Sequence, residues 1–225
     1  MKLALFDLDH TLIPFDSGRA FTRFLVERGE LPADVETGYV ERCRRYTSDG
    51  AAFDILEVHR FLVGAIGALE PPVLDDAMQA FEATLEKRVP MRTRALVHEH
   101  RKVGHLCALV TATARFIAEP FARVLGIDHL MASEPALDAQ GRYTGELVGP
   151  ACFREHKRTH VEQWLAGRGL AWEKVERSWF YSDSSHDLSL LEAVSDPVAV
   201  DPDPQLAAIA AERGWRVLRL ADKPQ

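Results

Sequence analysis

The sequence predicts an α/β fold, a doubly wound parallel sheet with a small all-helical segment inserted after its first strand. Three observations carry that expectation. The chain opens on an apolar run, Leu3 to Phe6, which reads as a strand buried on both faces. From Gly18 to Arg88 the apolar spacing is helical throughout, with no convincing strand. From Val89 onward strand and helix signals alternate, the pattern of repeated βα units packed as a parallel sheet.

The elements follow in order. The first strand runs straight into Asp7 and Asp9, and Pro14 and Gly18 then break the pattern. "AFTRFLVERG" places apolar residues at Phe21, Phe24, Leu25 and Val26 and stops at Gly29. "AAFDILEVHRFLVGAIGAL" and "PPVLDDAMQAFEATLEKRV" continue as helices, so this segment reads as a lid or cap. "RTRALVHEHRKVG" is a helix ended by Gly104, and "HLCALVTAT" is a second buried strand. "ARFIAEPFARVLGI" is a helix expected to break at Pro120. "DHLMASEPALDAQGRYTGELV" holds short strands in a hairpin-like excursion around Gln140 and Gly141. The helix "REHKRTHVEQWLAGRG" leads to the strand "RSWFYSDSSHD" with its acidic end, then to the helix "DLSLLEAV". "DPVAVDPDP" and "WRVLRL" are two last strands around the helix "QLAAIAAERG". The whole is a Rossmann-like core of residues 1–16 plus 89–225, with a cap of residues 17–88.

Composition narrows the function. The chain has 225 residues, enough for one full domain and a smaller one. Its 47% hydrophobic and 27% charged residues are those of a globular protein. A net charge of −7 argues against a nucleic-acid binder. The basic cluster Arg42, Arg44 and Arg45 reads as a solvated helix face, with anion binding as the other reading. Cys43, Cys107 and Cys152 have no metal-ligand spacing, and Cys107 reads as a small core residue. No leader precedes the first strand and no run is long enough to span a membrane, so a cytoplasmic setting is expected. Nothing in the sequence specifies an oligomeric state.

Ligands of open α/β sheets bind beyond the carboxyl ends of the strands. Three such ends carry polar clusters: Asp7, Asp9 and Thr11; Thr111 and Thr113; and Asp183, Ser184 and Asp187. Gathered at one edge, the acids need a positive partner, because buried like charges repel. All-oxygen donors suit a hard cation, and Mg²⁺ takes one or two carboxylates with waters and a phosphate. Zinc fits less well, since only His10 and His186 lie in these clusters. His10 is expected to point away from the acids. Lys157, opening a helix, would make with Thr111 and nearby backbone N–H groups a pocket for a phosphoryl group. Taken alone, Lys157 reads as a surface lysine and each acid as a turn or helix cap. His156 and His160, four apart, lack the intervening Glu of a metalloprotease helix.

"DLDHT" at 7–11, a strand ending in Thr111, Lys157, and "SDSSHD" at 182–187 resemble, in order, the four motifs of the haloacid dehalogenase superfamily. The helical insert, and the segment after the second motif, are similar to those of its phosphoserine-phosphatase-like branch. The resemblance covers most of the chain. It implies a Mg²⁺-dependent phosphatase of a small phosphorylated metabolite, phosphoserine- or histidinol-phosphate-like. Asp7 would be the nucleophile forming an aspartyl-phosphate, and Asp9 the general acid and base. Asp7, Asp183 and the backbone carbonyl of Asp9 would ligate Mg²⁺, with Asp187 in support. Thr111, Ala112 and Lys157 would bind the phosphoryl group. Asp16, nine residues after Asp7, resembles a glutamate near the substrate amino group, and is read also as a helix N-cap. His186 is read both as a substrate contact and as a neighbour of the acids. The sequence departs from the branch in "TAT", Thr111 to Thr113, where small glycines usually follow the second-motif residue, and in Ser182 and His186, where glycine and asparagine are usual. Two other readings stand beside the phosphatase: a phosphotransferase or mutase using the same intermediate, and a non-catalytic phospho-ligand binder.

Overall fold

The computed structural model describes residues 1–48 and 53–220. Stretches 49–52, in the expected cap range, and 221–225, closing the expected core range, lie outside the described residues. In chain order the strands are β1 (Lys2–Phe6), β2 (Leu106–Ala114), β3 (His129–Ser133), β4 (Pro135–Leu137), β5 (Tyr143–Leu147), β6 (Arg177–Ser182), β7 (Asp196–Val200) and β8 (Arg216–Leu218). Six of them form one sheet in the order β3-β2-β1-β6-β7-β8, every neighbouring pair parallel. The sheet is the predicted Rossmann-like one. The chain leaves β1 toward β2 and β3, then returns to the other side for β6, β7 and β8, so β1 marks the switch point where such sheets bind ligands. Strands β4 and β5 form a separate antiparallel hairpin, the excursion expected around Gln140 and Gly141.

Between β1 and β2 lie α1 (Ser17–Glu27), α2 (Ala33–Ser48), α3 (Ile55–Gly67), α4 (Pro71–Arg88) and α5 (Met91–Lys102). Local chemistry sets their ends. Asp16 caps α1 by accepting from Arg19 N at 2.6 Å, and Asp54 caps α3 by accepting from Leu56 N at 2.9 Å. Gly29 turns the chain after α1 at φ +76°, a conformation glycine adopts without strain.

Helix α6 (Arg115–Leu125) follows β2 and corrects one expectation: it runs unbroken through Pro120. The missing N–H costs one helical bond, but Pro120 is buried and its neighbours hold the turn. Phe116 and Phe121 pack edge-on against Phe21 of α1 and Phe81 of α4, with ring centroids 6.3 and 5.9 Å apart. This aromatic set joins the helical insert and one face of the sheet in a single apolar cluster.

The remaining helices are α7 (Glu155–Ala166), the short α8 (Leu188–Leu191) and α9 (Pro204–Arg213). With Leu3, Leu5, Val110, Phe180 and Ala199 of the strands they bury the opposite face. Each central strand thus has both faces covered, which is why its sequence is continuously apolar.

Candidate active site

The carboxyl ends of β2, β1 and β6, adjacent in the sheet, open into a cavity of about 590 Å³ roofed by α2 and α3. All the candidate site residues, Asp7, Asp9, Asp16, Thr111, Ala112, Lys157, Asp183, His186 and Asp187, line it. Residues from four separate parts of the chain are therefore brought together by the sheet's topology.

Asp7 lies at the floor, 6% exposed, one residue past β1. Its Oδ1 is 2.7 Å from Lys157 Nζ, and Asp187 Oδ2 is 2.7 Å from the same nitrogen. Lys157 sits in the first turn of α7 and is 4% exposed, so the single-residue reading of a surface lysine does not hold. Burial works against its charge, but Asp187 and Asp7 hold its pKa well above the lysine range. One ammonium cannot neutralise two carboxylates. Burial, opposed by Lys157 and aided by Asp187, leaves the Asp7 carboxyl raised. Asp187 also accepts from Ser182 Oγ at 2.7 Å.

Asp183 lies across from Asp7, and Thr11 stands between them. Its Oγ1 is 3.2 Å from Asp7 Oδ2 and 3.0 Å from Asp183 Oδ1, while accepting from Asp183 N. A hydroxyl has one proton, so one of the two carboxylate oxygens is left without a donor. Asp183 Oδ2 takes no hydrogen bond among the described residues. Burial, then the charges of Asp7 and Asp187, raise the Asp183 carboxyl to about 8. These under-satisfied oxygens fit a hard cation. Among the described residues no group of three or more His, Cys, Asp or Glu side chains is placed to hold a metal ion by itself. A cation that keeps water and takes few protein ligands matches that donor set better than zinc does.

Asp9 is held differently. Oδ1 accepts from Ser17 N at 2.6 Å and Oδ2 from Thr113 Oγ1 at 2.7 Å, so the start of α1 and the end of β2 together aim it. Burial, then the charge of Asp16, raise it to about 6. Asp16 spends Oδ1 on the N-cap and on Tyr39 Oη, 2.9 Å away, and faces the cavity as well. Asp16 is therefore the N-cap of α1 and lines the cavity as well.

His10 corrects the expectation that it points away: it is exposed, at φ +57°, and lines the cavity. The turn after Asp9 reverses the alternation that an extended strand would have kept. His186 stacks on Phe153, with centroids 6.1 Å apart, and its Nδ1 is 3.2 Å from Ser184 Oγ. Arg42 and Arg45 lie outside the cavity lining and pair with Glu57, each at 3.3 Å, which favours the helix-face reading.

Sequence reasoning left three contributors without a role. Thr113 orients Asp9; the signal was its spacing two residues after Thr111 on an extended strand. His59 of α3 is 3.0 Å from the Ala112 carbonyl, which Ser133 Oγ also reaches at 2.8 Å. Asp203 ties the last motif down, its Oδ2 accepting from Ser185 N at 2.7 Å and its N donating to the Asp183 carbonyl at 2.8 Å. No local pattern marks the last two.

Known proteins resemble this chain. Residues 4–192 match the haloacid dehalogenase-like hydrolase family. A histidinol-phosphatase of Neisseria meningitidis serogroup C (strain 8013) is 35% identical over 219 residues, 96% of this chain and 98% of that protein. A phosphoserine phosphatase of Mycobacterium tuberculosis is 28% identical over 225 residues, 98% of this chain and 72% of that one. The crystal structure of a protein of unknown function from Bordetella pertussis Tohama I superposes with a TM-score of 0.90 at 40% identity, covering 98% of this chain and 99% of that one. A phospho-aspartyl intermediate analogue of a phosphoserine phosphatase shares the fold, with a TM-score of 0.67 at 18% identity over 99% of this chain and 94% of that one. The chain belongs to the haloacid dehalogenase-like hydrolase family and is a phosphatase within it.

Proposed function

We propose that this phosphatase is Mg²⁺-dependent and hydrolyses a small phosphomonoester through an aspartyl-phosphate on Asp7. One observation carries the reading: Asp7 is buried at the cavity floor with Oδ1 on Lys157 and Oδ2 beside the Thr11 hydroxyl it shares with Asp183. The metal would be held by Asp7, Asp183 and the Asp9 carbonyl, and would supply positive charge to the phosphoryl oxygens. Asp187 supports that set from behind through Lys157 and Ser182.

The carboxylate of Asp7 attacks phosphorus, the new O–P bond forms, and the bond to the leaving alkoxide breaks. Asp9 gives that alkoxide its proton; a carboxyl raised to about 6 keeps a protonated fraction near neutrality. It then takes a proton from the water that hydrolyses the intermediate, which restores both acids. Lys157, the Thr111 hydroxyl and backbone at Ala112 hold the phosphoryl group, so that positioning and charge do most of the work. Residues 17–88 act as the cap, with Asp16 and His186 facing the leaving alcohol. The histidinol-phosphatase and phosphoserine phosphatase relatives support an amino alcohol there.

The test is phosphate release from a panel of phosphomonoesters, with Mg²⁺ and with chelator, by wild type and Asp7→Asn. Release is expected to need the metal and to drop by on the order of 10⁴ or more in the variant, whose Lys157 keeps Asp187 as a partner. Metal-independent release, or an active Asp7→Asn, overturns the covalent reading. Transfer of phosphate to an added alcohol in place of release moves the assignment to a transferase.

A further inference from the structure

We infer that this cavity selects phosphate esters of cationic, carboxylate-free alcohols and turns away esters that carry a second anionic group. The inference rests on the phosphatase reading and narrows its substrate.

The lining is acidic. Asp7, Asp9, Asp16, Asp183, Asp187 and Asp203 all contribute to it, and Lys157 is its one lysine or arginine among the described residues. That lysine is committed, with Nζ 2.7 Å from both Asp7 and Asp187. The phosphoryl group would claim the positive charge that a metal brings to the floor, leaving no lysine or arginine of the lining for a carboxylate on the alcohol side.

Arginines of α1 and α2, and the one that precedes α7, have other partners. Arg19 and Arg23 each reach Glu36 at 3.1 Å. Arg42 lies over the Phe61 ring, 3.9 Å from its centroid, and pairs with Glu57. Arg154 sits over Phe153, 5.0 Å from its centroid, beside the lining and not in it. The undescribed stretch 49–52 reads Asp-Gly-Ala-Ala and brings no cation.

What the alcohol side offers is an anion and an apolar wall. Asp16 Oδ2 takes no hydrogen bond among the described residues, since the N-cap and Tyr39 both use Oδ1. Phe53, Ile55, Val58, Leu62, Val63 and Ile117 form the wall. Phe53 meets Phe153 edge-on at 5.9 Å, and Phe153 stacks on His186, so a row of rings lines one side. An ammonium or a flat cationic ring fits these surroundings. A carboxylate would be desolvated among like charges with no lysine or arginine in the lining beyond the committed Lys157.

O-phosphoethanolamine and O-phosphoserine differ by one carboxylate, so the pair isolates the effect. At pH 8 with Mg²⁺, kcat/KM for phosphoethanolamine, and for histidinol phosphate with its flat ring, is expected to exceed that for phosphoserine at least ~30-fold, about 2 kcal/mol at 1.36 kcal/mol per decade. Equal or faster phosphoserine turnover overturns the inference. Calorimetric binding of the same pair to Asp7→Asn reads the preference without chemistry. Tighter phosphoethanolamine there supports the inference even when no ester is hydrolysed, a result that would count only against the hydrolytic reading. Equal or tighter phosphoserine binding overturns it.

Discussion

Lys157, Asp7 and Asp187 form a buried triad in which one cation serves two carboxylates at 2.7 Å each. Removing the cation leaves both acids uncompensated in a site from which water is largely excluded. Lys157→Met is therefore expected to lower unfolding free energy by about 3–5 kcal/mol and to abolish turnover. The loss should be smaller at pH 5 than at pH 8, because the acids can escape their charge by protonation. Urea denaturation at the two pH values checks both statements, and an unchanged midpoint would refute them. His59 acts on the neighbouring motif, its Nε2 3.0 Å from the Ala112 carbonyl with Ser133 on the other side. Burial holds its pKa down to about 4, so it is the neutral imidazole that donates. His59→Leu should cost about 1 kcal/mol, the low end for a lost buried bond because Ser133 stays, and should reduce kcat. His59→Gln, which keeps an N–H donor, should recover most of both. Equal kcat in the two variants would show that the bond does not position the motif.

At the scale of elements, helix α3 and the β4–β5 hairpin support each other. Gly67 is the contact point: a Cβ built there would lie 1.8 Å from the Tyr143 carbonyl oxygen, backbone against backbone. The salt bridge from Arg60 to Glu146, 2.8 Å, and the Phe116–Tyr143 stack, 4.3 Å, flank the same seam. Gly67→Ala should therefore cost about 1–3 kcal/mol as an overpacking defect. Gly64→Ala, one turn earlier on the same helix with nothing within 4 Å of its Cβ, should instead gain about 0.5–1 kcal/mol from reduced backbone entropy. Thermal unfolding of the pair checks the contrast, and two equal shifts would remove the packing argument. The hairpin was legible from its turn residues; that it braces helix α3 was not, because Gly67 and Tyr143 are remote in sequence.

The whole molecule carries a pH signature through its acids. Asp183, raised to about 8 mainly by burial, is protonated in the folded chain where an unfolded carboxylate is not. Stability therefore falls as pH rises from the ordinary carboxylate value through the raised one. His59 and His100, both lowered to about 4 by burial, work in the opposite direction, but only below the ordinary histidine pKa of about 6.5. Lys157 stays charged across this range. Between about pH 6.5 and 8 the fall then belongs to Asp183 and amounts to on the order of 1 kcal/mol. In chelator, Tm should drop over that interval; with Mg²⁺ it should recover, more at pH 8 than at pH 6.5. Scanning calorimetry reads all four conditions, and a flat response to both pH and metal would contradict it.

The sequence by itself determined the sheet, the order of its elements and the identity of the acids. Strands β1, β2 and β6 are short apolar runs buried on both faces, and each ends in polar residues that a core would not tolerate. Such local signals, period and punctuation, survive without a fold to read them in. Pro120 shows their limit: its local rule predicted a break, and packing of Phe116 and Phe121 across the helix decided otherwise. Only the tertiary structure decided which groups share a proton or a cation. Thr11 between Asp7 and Asp183, Thr113 and Ser17 on Asp9, His59 on Ala112 and Asp203 beneath Ser185 are contacts between residues whose meeting depends on the order of strands in the sheet and the turns that end them. The physical reason is range: hydrogen bonds and desolvation act over a few ångströms, and separation along the chain says nothing about separation in space until the sheet has closed it.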